Sequence, residues 1–150
     1  MPATYYPIAT LTLASTSSSI TFSGIDSGYT DIVLVCGNVG FTASDFIARM
    51  QLNSDTGNNY SFTEMYGNGT SAASTWDTNR SNIPVAYNVG LANDNNANII
   101  IHFMNYSNTT TNKTVFVREN RAGAGSGAIV GLWRSTAAIS TIKVECGGIS

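Results

Sequence analysis

Side chains suited to acid–base, nucleophilic or metal chemistry are few: one histidine, two cysteines and nine carboxylates in 150 residues. His102 lies in the apolar run NIIIHFMN, between Ile101 and Phe103. Catalysis there needs a second group to orient the imidazole and a nucleophile or substrate for it to serve, and the spacing supplies neither, so a packed or hydrogen-bonded strand residue is expected. Cys36, Cys146 and His102 lack the short ligand spacing of a zinc site. Glu64 and Glu119 fall on strand-like segments and could face each other across a cleft, as glycoside hydrolysis demands, but nothing in their spacing requires it. DNNAN, beginning at Asp94, and NSDTGNN, beginning at Asn53, are rich in oxygen ligands. Neither has the terminal Glu and fixed Gly of a calcium loop, and Asx turns account for both. The expectation is a protein with no chemistry, metal or cofactor of its own.

Other recognition devices are equally sparse. GNGTS and GAGSG lack the lysine and the strand–turn–helix context of a phosphate loop. Arg80, Arg118, Arg121 and Arg134 are too scattered for a nucleic-acid track. The opening MPATYYPIAT has no basic segment, and no apolar run approaches eighteen residues. Neither a signal peptide nor a membrane-spanning helix is expected. Three aromatics, Tyr66, Trp76 and Tyr87, lie in or beside a polar stretch, where exposed rings pack a partner subunit or stack on sugars. They are the expected interface residues.

The composition fits a surface built for contact rather than for charge. Only 11% of residues are charged and the net charge is −2, against a usual charged fraction of about 25%. In place of charge stand 16 Asn, 17 Ser and 18 Thr, a third of the chain, which hydrogen-bond without carrying charge. Leucine and lysine are rare, so helix formers are scarce. Cys36 and Cys146 each belong to an apolar run, and two buried thiols or one disulfide are both compatible with that placement.

The elements that must position these residues are short strands. Period-two alternation runs through residues 8–13, 20–25, 45–53, 60–66 and 114–118, bounded by Gly, Asn, Asp and Ser. Residues 32–36, IVLVC, are apolar on both faces and read as a central strand. Residues 97–104, 128–134 and 139–146 complete the set. Residues 67–96 read as a long loop with at most a short strand. The expected architecture is one all-β domain over residues 1–150, an antiparallel β-sandwich of jelly-roll type with eight to nine strands. Between residues 53 and 61 a tight turn is expected, with Gly57 at positive φ, Asp55 and Asn58 bonding the local backbone, and Tyr60 re-entering the core.

YYPIATLTLASTSSSITFSGI, then YTDIVLVC, then RMQLNSDTGNNYSFTEMYGNG resembles a group of small structural proteins of tailed-bacteriophage virions. In these a Ser-rich turn leads to a "sitFsgI" strand and a "YtDlvLv" strand. An Asn–Gly/Ser–Asp–Thr–Gly turn and an aromatic strand ending in Tyr-Gly-Asn-Gly follow. The resemblance covers residues 5–70 well, and residues 112–117 and the final strand from Ile139 weakly; residues 70–96 depart from it. It implies a non-enzymatic capsid decoration or cement protein on the outer surface of the virion. Its partners would be the major capsid protein and copies of itself, as a trimer or ring, without nucleic-acid or membrane contact. The alternative it leaves open is a tail- or fibre-associated receptor- or carbohydrate-binding module. None of the matching residues is catalytic by resemblance.

Overall fold

The computed structural model describes residues 5–40, 46–91 and 97–146. The strands are β1 (Ser19–Ser23), β2 (Ile32–Val39), β3 (Phe46–Leu52), β4 (Tyr60–Gly67), β5 (Ala72–Arg80), β6 (Ile83–Leu91), β7 (Ala97–Phe103), β8 (Lys113–Arg121), β9 (Gly125–Trp133) and β10 (Thr141–Cys146). All pairings are antiparallel. They form a four-stranded sheet, β1-β10-β3-β6, and a six-stranded sheet, β2-β7-β8-β9-β4-β5. No helix occurs among the described residues.

The topology is that of a rolled ribbon. The chain pairs β1 with β10, β2 with β7, β3 with β6 and β4 with β5, four nested antiparallel pairs. Such a ribbon, folded over on itself, places alternate pairs in opposite sheets, which is the jelly roll. Here a hairpin, β8–β9, is inserted between β7 and β10, and its strands fill the position between β7 and β4. The expected sandwich of jelly-roll type is therefore present, widened on one side to six strands, which brings the count to ten.

The alternation read from the sequence sets the core. Ala48, Met50 and Leu52 of β3 point inward, as do Tyr60 and Phe62 of β4, Ile99 and Ile101 of β7 and Val115 and Val117 of β8, all buried. Two inward positions on β9 are glycines for steric reasons. A Cβ at Gly131 would come within 2.6 Å of the Ile83 side chain on β6, and one at Gly127 within 2.7 Å of Glu119. The first lets the small sheet lie close on the middle of the large one.

Three expectations fail. The segment 67–96 contains two nine-residue strands, β5 and β6. β5 looked like loop because it is an edge strand whose residues are mostly exposed and polar. IVLVC is not central: β2 ends the six-stranded sheet. Residues 8–13 alternate like a strand yet pair with no other strand among the described residues, and Ile8, Leu11 and Leu13 remain exposed. Alternation reports which faces are apolar, and a strand needs an edge to pair with as well.

The β3–β4 corner holds the ribbon in place. Asn53 (φ 50°) and Ser54 (φ 56°) supply the left-handed residues. Gly57 does not, so its expected positive φ is corrected; it is small because a Cβ there would meet Asn59 Nδ2 at 2.9 Å and Asp55 Oδ1 at 3.1 Å. Asn53 Oδ1 accepts from the amides of Ser140 (2.8 Å) and Thr141 (3.0 Å), and its Nδ2 donates to the Ala138 carbonyl at 2.8 Å. One side chain thus ties the corner to the approach of β10. Asn53→Ala should lower unfolding free energy by about 2–4 kcal/mol, since three bonds and a left-handed preference go together. Asn53→Gly should recover about 1 kcal/mol of that by relieving the backbone alone. Urea denaturation of the three proteins measures both.

Candidate functional site

The expected turn residues meet at one end of β9. Asp55 Oδ1 accepts from the Gly57 amide at 2.8 Å, and its Oδ2 accepts from Asn59 Nδ2 at 2.9 Å and from Trp133 Nε1 at 2.7 Å. The Trp133 bond, foremost among these contacts, holds the Asp55 carboxyl below its usual pKa. Both oxygens are engaged by protein donors, so the stretch works as an Asx turn and not as a cation loop. Asn58 contributes its carbonyl, which accepts from Arg134 Nη2 at 2.7 Å. Tyr60 is fully buried, stacks on Trp133 at 6.3 Å, and its hydroxyl accepts from the Leu52 amide and donates to the Asp55 carbonyl. Burial above all pushes the Tyr60 pKa up to about 12. The second oxygen-rich stretch, from Asp94, lies outside the described residues apart from Ala97 and Asn98. Among the described residues no group of three His, Cys, Asp or Glu could hold a metal.

Glu64 and Glu119 do face each other, inside the sandwich rather than across an open cleft. Glu64 is fully buried on β4 and Glu119 almost so on β8. Gly127 of β9 stands directly beside Glu119 in the sheet, and the carboxyl lies over it, where a Cβ would otherwise be. From β6, Asn88 donates its amide to Glu64 Oε1 at 3.1 Å and its Nδ2 to Glu64 Oε2. The Glu119 oxygens are sealed from solvent without a well-formed bond from any donor. Burial first, then the hydrogen bonding and charge of Glu64, push the Glu119 pKa up to about 9; the backbone at Tyr87 offsets only part of this. The pair therefore holds a proton at neutral pH. Solvent exclusion keeps both from contact with a substrate in this conformation. Sequence reasoning could count the two carboxylates but had no sign of Gly127 or Asn88 as their neighbours.

A second buried charge was missed. Lys113 is almost wholly enclosed and donates to the carbonyls of Thr111 (2.8 Å) and Thr136 (3.1 Å). Burial lowers its pKa. It joins the start of β8 to the connection between β9 and β10. His102 sits on the opposite, outer face, half-exposed, with Nε2 3.6 Å from Asp31 Oδ2, while Asp31 Oδ1 accepts from the Asn105 amide at 2.7 Å. Its cross-strand neighbours are Val33 and Phe116, and neither is a nucleophile. Cys36 is a free, half-buried thiol whose pKa burial raises; the Cys146 side chain lies outside the described residues.

The three aromatics do not form one patch. Tyr87 is half-buried and meets Phe62 edge-to-face at 5.3 Å inside the sandwich. Tyr66 is half-buried on the inward-pointing register of β4. Trp76 alone is on the outer face, 70% exposed. It ends a row of residues paired directly across all six strands: Val33, His102, Phe116, Val130, Thr63 and Trp76. Val35, Met65 and Val130 are also more than half exposed on that face. At about 4.8 Å per strand the row is roughly 24 Å long. Among the described residues no element covers it.

The carboxyl pair gives a signed pH effect. The folded pKa of Glu119 exceeds its unfolded value, so its stabilisation is complete below pH 4.5 and is lost as pH rises through about 9. Denaturation midpoints of the wild type should fall over that range. Glu119→Gln, which stays neutral and keeps the shape, should flatten the profile. Gly127→Ala should destabilise at every pH by about 1–3 kcal/mol, because the new methyl displaces the Glu119 carboxyl.

Comparison of the chain with known protein families, with curated proteins and with solved structures finds no match, so the functional reading rests on the residues and their geometry.

Proposed function

We propose that the protein is a structural component of a tailed-phage virion, a decoration or cement protein that binds the outside of the capsid and staples neighbouring subunits. The observation that carries the reading is the uncovered apolar row on the outer face of the six-stranded sheet, anchored by Trp76. Exposed apolar side chains grouped on one face mark contact surfaces; here Val33, Phe116, Val130 and Trp76 supply them, with His102 and Thr63 as the polar members of the row. Indole and long apolar side chains dominate binding where they are sealed from solvent. The resemblance of residues 5–70 to virion structural proteins supplies the setting. The jelly roll recurs in capsid proteins and lectins alike, so the fold is compatible with the role without selecting it.

The surface chemistry suits a shell of many copies. Few charges oppose close approach, and contacts made through Asn, Ser, Thr and apolar groups are barely screened by salt. Many weak contacts per particle sum through their high local concentration.

Trp76→Ala tests the reading without disturbing the fold. With its side chain this exposed, the substitution should change unfolding free energy by no more than about 0.5 kcal/mol. Loss of this exposed aromatic anchor should weaken capsid binding by about 30-fold, the equivalent of about 2 kcal/mol. Particles carrying the variant should show reduced occupancy and rupture at lower temperature, with adsorption to host cells unchanged and little dependence on salt. Lost adsorption from a fully decorated, stable capsid would overturn the cement role in favour of receptor binding.

A further inference from the structure

Four strands end the two sheets, and three of them carry features that discourage pairing with another chain. β1 is only five residues long and alternates Ser and Thr with its apolar positions. β6 contains Pro84. β5 is polar and carries the Asp77–Arg80 ion pair at 2.9 Å. Short length, proline and charge are the ordinary means of protecting an edge. β2 has none of them over its first five residues. Ile32–Val39 opens with IVLVC; Val35 is 65% exposed, and Val33, Leu34 and Cys36 are only half-buried. The register shift that bends the strand comes after Cys36, next to Asn38 at φ 54°. A strand apolar on both faces belongs in the middle of a sheet, and β2 is at the end of one.

The same chain holds a strand with no edge. Residues 8–13 alternate, with Thr10 and Thr12 opposite Leu11 and Leu13; Leu11 and Leu13 are each 53% exposed and Ile8 46%. No backbone bond to the rest of the chain holds this segment among the described residues. The six residues of the arm are long enough to span the five residues Ile32–Cys36 of β2, a ladder of about 17 Å.

We propose that residues 8–13 of one copy add as a strand to the β2 edge of a second copy, so that β2 becomes an interior strand and the six-stranded sheet gains a seventh. Backbone bonds then satisfy the free side of β2, and the leucines cover the half-exposed Leu34 and Cys36. The arm is joined to its own β1 by the Ser-rich residues 14–18, which give it reach. Each copy both donates an arm and offers an edge. Exchange is therefore either reciprocal between two copies or continues around a ring. The inference concerns the purified chain and does not depend on the virion reading.

The test uses the full chain. Sedimentation over a concentration series should show self-association. Hydrogen exchange should show the amides of residues 8–13 and 32–36 gaining protection together as association rises. Leu11→Asp combined with Leu13→Asp should weaken association at least a hundredfold, since two buried leucines are lost, and should remove protection from both segments. Both side chains are exposed within the single chain, so its melting curve should be unchanged; a conservative Leu11→Val, Leu13→Val protein should still associate. A wild type that stays monomeric overturns the proposal, as does association that survives the aspartates. Protection of 32–36 without 8–13 overturns it too, because β2 would then pair with another β2. Trp76→Ala should leave association intact while lowering capsid occupancy, which separates failure of this proposal from failure of the cement role.

Discussion

The architecture turns on how closely β6 lies on β9. Gly131 has no side chain because the Ile83 side chain occupies that space, with Val115 of β8 on its other side. That contact seats the edge of the small sheet on the middle of the large one, so the sheets are not stacked strand for strand. Ile83, Val85 and Ala86 are fully buried as a result. The interior needs only one face of the large sheet, and its other face is left for water or a partner. A β-branched residue at position 131 would drive the sheets apart, and the carboxyl pair at the next glycine along would lose its enclosure.

That pair shows why an ionisable group is tolerated in such a core. Burial first, and then the neighbouring Glu64 carboxyl, favours the neutral form of Glu119, while Glu64 is held by two donors from Asn88. Removing any one member leaves a buried polar group without its partner, which costs more than the pair contributes when complete. Lys113 is handled differently, by two carbonyls at a loop. Both arrangements join parts of the chain far apart in sequence: β4, β6 and β8 in the first, the ends of two loops in the second. They favour this packing of the roll over others with similar apolar burial.

Much of the fold was legible because the strands with one dry face announce it. β3, β4 and β8 alternate so cleanly that their two faces could be separated from sequence, β7 was legible as an apolar run, and Tyr60 re-enters the core as its turn suggested. β5 was illegible because an edge strand has little apolar signal to give. The carboxyl pair was illegible for another reason: it is made by residues 55 positions apart plus a glycine and an asparagine with no distinctive pattern. Trp76 was correctly singled out as exposed, but Tyr66 and Tyr87 were grouped with it only by proximity in sequence, and parity along their strands turns them inward. IVLVC was read from its composition alone, and its pattern and its position disagree.

The disagreement at β2 and the bareness of the outer face have a common physical source. Among the described residues two carboxylates, Glu64 and Glu119, lie in the interior, and only 11% of the sequence is charged. A monomer that must stay apart from its copies does the opposite, using surface charge to keep flat edges and apolar faces from meeting. Here the outer row from Val33 to Trp76 carries no formal charge while His102 is neutral, and the first five residues of β2 carry none. Charge repulsion against an approaching surface is therefore weak at both places. Asn, Ser and Thr keep the rest of the surface wet without setting a sign that a neighbour would have to match. Such a surface gains little from long-range steering, so any contact it makes rests on short-range apolar and hydrogen-bonding complementarity.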